Sequence, residues 1–279
     1  IHPSTLSMQR REGFLLTAVT WVFFSAFGML PFLFSGSIDN VADAFFETMS
    51  GFTTTGATVI RDVDHTAKGI LFWRALTQWI GGMGIIVFTL AVLPMLNYKG
   101  GIALFNAEVP GITHERLRPR VSQSAKSLWG MYIILTAILA VLLMFGPMDW
   151  FDSVCQTMST VSTGGFSTKS IGLGYWHNYY SDVMIMIFMF LCGTNFTLLF
   201  QASGGKLGVF WKSNTFKWYL GETVLVSVII ILRMWTEGFL DNWPDRILFS
   251  FFDTISGITS TGFSTYSYEK SGEFISFVL

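Results

Sequence analysis

A nine-residue segment rich in hydroxyl side chains occurs three times in the chain, with glycine at the seventh position of each copy. The copies are SGFTTTGAT (residues 50–58), STVSTGGFS (residues 159–167) and SGITSTGFS (residues 256–264). A recurring segment says more about architecture than any single motif. The chain is therefore predicted to contain three copies of one structural unit.

The composition of the repeated segment indicates what it could do. One cluster of serine, threonine and glycine is ordinarily just a loop, but three copies in register, each between apolar segments, favour a shared role. Glycine adopts backbone conformations that other residues avoid, so consecutive carbonyl groups can point the same way. Several such loops around one axis would form rings of carbonyl oxygens that replace the hydration shell of an alkali cation.

The overall composition is that of a membrane protein. Hydrophobic residues make up 51% and charged residues 13% of the chain, whereas soluble domains average about 25% charged residues. The net charge of −1 and the lack of a dense basic run give no sign of a nucleic-acid partner. Cys155 and Cys192 lack metal-ligand spacing and are predicted to be buried packing residues. Because the sequence starts at Ile1 and stops within an apolar run, it is expected to be part of a longer chain.

Apolar segments of two lengths alternate along the sequence. The long ones approach or exceed the roughly 20 residues that a helix needs to cross a bilayer, and they occupy residues 13–34, 69–96, 128–146, 181–202 and 218–235. The short ones are predicted to be re-entrant helices, and they occupy residues 38–50, 148–159 and 245–256. The predicted unit is therefore a spanning helix, a re-entrant helix, a hydroxyl-glycine loop and a second spanning helix.

Several polar residues fall within the long apolar segments. Arg74 and Gln78 lie one turn apart on one helix face, and Arg74 is predicted to snorkel to the membrane interface, with a pore-facing position as the alternative. Glu222 and Arg233 are also predicted to snorkel. The run at residues 193–195 (GTN) favours helix–helix packing, with a pore lining or a local helix break as the alternative.

The distribution of charge predicts the orientation. Arg10, Arg11 and the connectors at residues 97–127 and 203–217 carry ten of the 17 basic residues. By the positive-inside rule this side is cytoplasmic, so the repeated loops face outside. The repeats are parallel, since each has an even number of crossings. The outer side is net negative and should concentrate cations.

The re-entrant helices add to the preference for a cation. Each would direct its C-terminal end, with its partial negative charge, towards a repeated loop. Glu47, Gln156 and Asp253 occupy equivalent places in the three runs. Because one of the three is uncharged, coordination by backbone carbonyls is preferred over a ring of carboxylates.

Four stretches carry a resemblance to a known family. They are residues 21–34, TTGA at residues 54–57, WRALTQWIGGMG at residues 73–84 and FNAEVPG at residues 105–111. With the repeated unit, they resemble the Trk/Ktr/HKT superfamily of potassium transporters. The resemblance implies an all-α integral membrane protein in which four potassium-channel-like units surround a pseudo-fourfold pore. Three units would be visible here, at residues 1–111, 112–213 and 214–279, the third truncated before its second membrane helix.

The resemblance also implies which residues meet the ion. The filter glycines would be Gly56, Gly165 and Gly262. Further coordinating carbonyls would come from the residues just before them: Thr54, Thr55, Thr163, Gly164, Ser260 and Thr261. K⁺ would be the transported ion, since family members with serine at the first glycine position tend to pass sodium, and no organic cofactor is expected. Each filter strand has one fixed glycine, whereas tetrameric potassium channels have a two-glycine loop, and this difference predicts milder discrimination against sodium.

The implied setting is the bacterial cytoplasmic (inner) membrane. The expected partners are the lipid bilayer, a second copy in a homodimer, and a cytoplasmic nucleotide-binding regulatory ring of the TrkA type. A secondary transporter that couples a solute or proton to a monovalent cation is the alternative function, although such folds often contain inverted repeats. An enzyme is not expected, because no serine–histidine or aspartate pair falls on facing spans at a usable place.

Overall fold

The computed structural model describes residues 10–84, 121–238, 240 and 242–265. Within these ranges the regular structure is helical, with no β-strand. The α-helices are α1 (Arg10–Gly28), α2 (Leu30–Phe34), α3 (Val41–Phe52), α4 (Lys68–Gly82), α5 (Val121–Met144), α6 (Trp150–Val161), α7 (Tyr179–Cys192), α8 (Phe196–Ser203), α9 (Gly208–Lys212), α10 (Asn214–Glu237) and α11 (Trp243–Ile258). A 3₁₀ turn spans Gly172–Tyr175.

The predicted order of elements is confirmed in the described ranges. A long helix (α1, α5 or α10) precedes a short helix (α3, α6 or α11), and each short helix ends at a hydroxyl-glycine segment. In the first two repeats another helix, α4 or α7, follows the segment. Asn40 and Asp149 begin the first two short helices because their side chains accept backbone N–H groups of the first turn. The third short helix begins with Trp243 and Pro244, and proline suits this position because it has no N–H to satisfy.

The first long span differs from its prediction. Residues 13–34 were expected to form one helix, but α1 ends at Gly28 and α2 begins after Met29. Gly28 lies against α3, since a Cβ there would come within 2.7 Å of Thr48 Cγ2. The indole of Trp73 on α4 donates to the Gly28 carbonyl at 2.9 Å. The interruption therefore allows α1 to pack closely within its own repeat.

The long helices expose apolar side chains, whereas the short helices bury polar ones. Within the described residues, two helices, over Ser127–Met144 and Asn214–Glu237, are long and apolar enough to cross a membrane. Their exposed surfaces carry side chains such as Ile134, Val141, Leu225 and Leu232. The short helices instead bury polar residues at equivalent positions, namely Glu47, Thr48 and Ser50, Gln156, Thr157 and Ser159, and Asp253, Thr254 and Ser256. Long helices facing lipid around a polar centre explain this arrangement.

Close helix approach joins the first repeat to the second. At Gly82 an added Cβ would lie 2.6 Å from Ser162 Cβ. At Gly81 it would lie 2.0 Å from the Phe52 carbonyl oxygen, within the first repeat. This part of the 73–84 stretch thus permits close packing, as predicted. Residues 85–120, with the connector 97–127 in large part and the motif at 105–111, lie outside the described ranges.

The polar run at residues 193–195 interrupts its span. Helix α7 ends at Cys192 and α8 begins at Phe196, so the alternative of a local break is what the structure shows. The break also packs against the third repeat, since a Cβ at Gly193 would lie 2.5 Å from Thr259 Cγ2. The prediction that Cys155 and Cys192 are buried packing residues is confirmed.

Candidate selectivity filter

Each short helix ends in the same hydrogen-bonded turn, which leads into a loop. The first, second and third loops are residues 53–58, 162–167 and 259–264. In the first repeat the Thr54 N–H donates to the Gly51 carbonyl at 3.0 Å and the Thr55 N–H donates to the Ser50 carbonyl at 2.9 Å. The same two bonds, at 2.8–3.0 Å, close the turns of the second and third repeats. This is the Schellman pattern, which turns the chain sharply away from the helix axis.

The turn places residues other than glycine in a left-handed conformation. The φ angles of Thr54, Thr163 and Ser260 are 54°, 53° and 54°. Such residues cost roughly 1–2 kcal/mol in this region, and the position is usually glycine in a Schellman turn. The same strained conformation in all three loops indicates that their backbone geometry serves a purpose beyond ending a helix.

Two residues further on, the left-handed conformation recurs at the predicted filter glycines. Gly56, Gly165 and Gly262 have φ angles of 78°, 83° and 78°. Left-handed residues thus alternate with ordinary ones in every loop. Alternation of this kind turns successive carbonyl groups to the same side of the chain, which is the arrangement needed to line an ion pathway.

The loops lie side by side in chain order. An added Cβ at Gly56 would come within 2.3 Å of the Gly164 carbonyl oxygen. At Gly165 it would come within 1.8 Å of the Thr261 carbonyl oxygen. The first loop therefore touches the second and the second touches the third, each through a glycine against a carbonyl. The nine residues predicted at the site all lie in these three loops.

Hydroxyl groups brace the first and third loops internally. Thr53 Oγ1 and Thr55 Oγ1 are 2.8 Å apart, and Thr259 Oγ1 and Thr261 Oγ1 are 2.7 Å apart. The Ser50 hydroxyl donates to the Ala57 carbonyl at 2.6 Å. These bonds restrict the conformations of the first and third loops.

A buried ion pair supports the first loop from behind. Arg74 is 2% exposed and Glu47 is fully buried, and Arg74 Nε donates to Glu47 Oε1 at 2.7 Å. The carboxylate also accepts the Thr58 hydroxyl at 2.9 Å and the Val59 N–H at 2.8 Å. The prediction that Arg74 snorkels is therefore wrong, because the side chain turns inward to a carboxylate on α3.

Arg74 also reaches the second loop. Its Nη1 donates to the Ser167 carbonyl at 3.1 Å, and its guanidinium carbon lies 4.2 Å from the centre of the Phe166 ring. A bidentate or stacked guanidinium is rigid enough to fix two loops at once. One side chain from the first repeat thus ties together the loops of two repeats.

Gln78, one turn further along α4, makes a second link to the same loop. It is fully buried, and its Nε2 donates to the Gly164 carbonyl at 2.6 Å. Its Oε1 accepts the Ser159 hydroxyl at 2.7 Å and the Phe166 N–H at 3.1 Å. Sequence reasoning found the shared face of Arg74 and Gln78 but assigned neither residue a partner.

The positions equivalent to Glu47 are occupied differently in the other repeats. Gln156 Nε2 donates to the Ser167 hydroxyl at 2.7 Å, so an amide supports the second loop. Asp253 is fully buried behind the third loop. All three side chains are buried against their own loops.

The polar linker after the first loop carries a histidine–carboxylate pair. His65 Nδ1 lies 2.8 Å from Asp62 Oδ2, and both side chains are exposed. The hydrogen bond to Asp62 raises the pKa of His65 above 6.5. The pairing therefore favours the folded linker below pH 6.5, and this contribution is lost as the pH rises through the raised pKa.

This pairing can be tested by titration. The Asp62→Asn substitution is expected to move the pKa of His65 down towards 6.5, since it removes both the charge and the carboxylate acceptor. Imidazole NMR shifts of histidine-labelled protein in detergent, followed from pH 5 to 9, would measure it. An unchanged midpoint for His65 would show that Asp62 does not set its protonation.

Comparisons with known proteins agree on one family. The family model described as "TrkH: Cation transport protein" matches residues 2–204. The Trk system potassium uptake protein TrkH of Salmonella typhimurium is 39% identical over 263 residues, which is 93% of this chain and 54% of that protein. Trk system potassium uptake protein TrkG of Escherichia coli is 33% identical over 268 residues, covering 95% of this chain and 55% of that protein.

A solved structure gives the same result. The crystal structure of the potassium transporter TrkH from Vibrio parahaemolyticus matches with a TM-score of 0.83 and 35% identity, over 100% of this chain and 56% of that one. The chain therefore spans about half the length of the curated relatives it matches.

Proposed function

We propose that this chain, which belongs to the TrkH family of cation transport proteins, forms part of a channel-like pore for potassium uptake. The observation that carries the proposal is the threefold recurrence of one loop geometry. Each loop alternates left-handed and ordinary residues, and Gly56 and Gly165 each face a carbonyl of the next loop. Three loops with the same geometry are expected to surround one axis and to share one function.

Backbone oxygens would coordinate the ion. The proposed ligands are the carbonyls of Thr54, Thr55 and Gly56, with their counterparts in the second and third loops, Thr163, Gly164, Gly165, Ser260, Thr261 and Gly262. Carbonyls replace water around potassium at little cost when they are already held in place. The C-terminal ends of α3, α6 and α11 add about half a negative charge each behind the loops. Together these groups favour a monovalent cation.

The proposed setting is the bacterial inner membrane, crossed several times by the chain. The repeats would be residues 1–111, 112–213 and 214–279, each contributing one loop to the outer side. The basic connectors at residues 97–127 and 203–217 would face the cytoplasm. On that side the connectors could dock a nucleotide-binding regulatory ring of the TrkA type. The printed names of the relatives refer to a Trk system. A homodimer is proposed from the family resemblance.

The direct test is a reversal potential. The full-length protein in liposomes, with potassium on one side and sodium on the other, is expected to reverse near the potassium equilibrium potential. Discrimination against sodium should be milder than in a tetrameric potassium channel, since each loop has one left-handed glycine at the filter. A current that ignores the cation gradient, or that needs an added solute, would replace the pore with a coupled transporter.

A further inference from the structure

The second loop differs from the other two at two positions: it starts with Ser162 where they have threonine, and it lacks a threonine just before the filter glycine. Just before the filter glycine the first and third loops carry Thr55 and Thr261, whereas the second carries Gly164. The backbone does not require this glycine, because Gly164, unlike Gly165, does not have a left-handed φ. The second loop also lacks the hydroxyl that braces its neighbours at this position.

The side chain of Gln78 fills the space that a threonine would occupy. A Cβ added to Gly164 would lie 2.4 Å from Gln78 Cδ, 2.7 Å from Oε1 and 2.8 Å from Nε2. Real Cβ atoms essentially never come this close to another heavy atom. Gln78 is fully buried, so it cannot swing aside into solvent. A side chain at position 164 and the present placement of Gln78, which comes from another repeat, therefore exclude each other.

Gln78 also makes three hydrogen bonds to the second repeat. It donates to the Gly164 carbonyl and accepts from Ser159 and Phe166, so it holds the helix end and both sides of the filter glycine. Four residues earlier on the same helix, Arg74 holds the Ser167 carbonyl. The second loop is therefore held by α4 of the first repeat as well as by the bond between Gln156 and its own Ser167 hydroxyl.

We propose that Gln78 is a positioning residue that sets ion selectivity by fixing the Gly164 carbonyl of the second loop. This inference rests on the proposed function. A carbonyl that already accepts a 2.6 Å hydrogen bond has one lone pair fewer to offer an ion and less freedom to move. The ring to which it belongs is consequently unequal, with one carbonyl tethered by an amide. Selectivity then depends on a residue that does not itself touch the ion.

The test exchanges the two side chains. Gln78→Ala is expected to lower the potassium-to-sodium permeability ratio about fivefold or more, as for the loss of one or more hydrogen bonds. Gly164→Thr alone is expected to lower it as well, because the new Cβ meets Gln78. The double variant Gln78→Ala/Gly164→Thr should recover most of the ratio, since it rebuilds in the second loop the arrangement of the first and third.

The matched control is Trp79→Phe. Trp79 neighbours Gln78 on α4, but its indole donates to Thr136 on α5 and not to a loop. The permeability ratio of the Trp79→Phe variant should stay at the wild-type value. Should Gln78→Ala not fold, Ser159→Ala removes a single donor to Gln78 Oε1 and is expected to shift the ratio in the same direction.

The outcomes separate this proposal from the function on which it rests. A wild-type protein without potassium selectivity would overturn the proposed function, whatever the variants do. With a selective wild type, an unchanged ratio in Gln78→Ala, or in Ser159→Ala if that is the variant measured, overturns the role of Gln78 alone. The role of Gln78 is also overturned if the permeability ratio of the double variant is no higher than that of the worse single variant. The same holds if Trp79→Phe lowers the ratio as much as Gln78→Ala does.

Discussion

Replacement of Gly165 by serine is expected to abolish selective potassium conduction. The residue has a φ of 83°, where a side chain costs roughly 1–2 kcal/mol. Its new Cβ would also lie 1.8 Å from the Thr261 carbonyl oxygen, which is a backbone atom and cannot rotate away. The third loop would have to move, and the proposed ring of carbonyls would move with it. Reversal potentials in liposomes, with protein yield measured in parallel, would report the loss.

Two further substitutions grade this effect. Gly56→Ser brings a Cβ within 2.3 Å of the Gly164 carbonyl, so it should admit more sodium while leaving more conduction than Gly165→Ser. Gly36→Ser is the control, because Gly36 also has a left-handed φ, 67°, but no described atom within 4 Å of its Cβ position. It should remain potassium-selective. A Gly165→Ser protein with a wild-type permeability ratio would show that Gly165 does not shape the filter.

The repeat pattern predicted the architecture because the features that define each repeat depend on residues close together in the sequence. Helix length, apolar periodicity and the hydroxyl-glycine signature lie within short stretches, and α3, α6 and α11 begin and end within a few residues of the predicted runs. The nine site residues fall in the three loops for the same reason. Left-handed backbone at the glycines is likewise a property of the segment itself.

The contacts between repeats could not be predicted in this way. Arg74 and Gln78 share a helix face, which the sequence shows, but their partners lie far along the chain. Glu47 precedes Arg74 by 27 residues, and Gly164 follows Gln78 by 86. Near a helix end an arginine side chain usually snorkels to the interface. Only the fold shows that the buried Glu47 carboxylate lies within reach of Arg74.

The breaks in two of the apolar spans could not be predicted from the sequence either. Residues 13–34 and 181–202 each read as one apolar span, because hydropathy averages over a window. The breaks after Gly28 and Cys192 follow instead from packing, at Gly28 against Thr48 and at Gly193 against Thr259. A window of apolar residues predicts that a segment lies in the bilayer, whereas a helix break depends on contacts with a neighbouring helix.

The second large effect is expected at the buried ion pair. Arg74→Met leaves the Glu47 carboxylate fully buried without its cation, which typically costs about 3–5 kcal/mol. Folded protein should fall sharply and potassium uptake with it. Thermal melting of the detergent-solubilised protein, with the membrane-inserted fraction as a second measure, would quantify the loss. Arg233→Met is the control, because Arg233 and Glu237 are also 2.7 Å apart but partly exposed, and such pairs contribute about 1 kcal/mol or less.

The double variant Glu47→Gln/Arg74→Met identifies the cause. It removes both charges, and the second repeat shows that an amide can occupy this place, since Gln156 supports its loop through Ser167. If the uncompensated carboxylate causes the loss, the double variant should melt well above Arg74→Met. If both melt alike, the loss comes instead from the bond of Arg74 to the Ser167 carbonyl. Arg74 would then act chiefly as the link between the first and second loops, and its effect on selectivity should exceed its effect on stability.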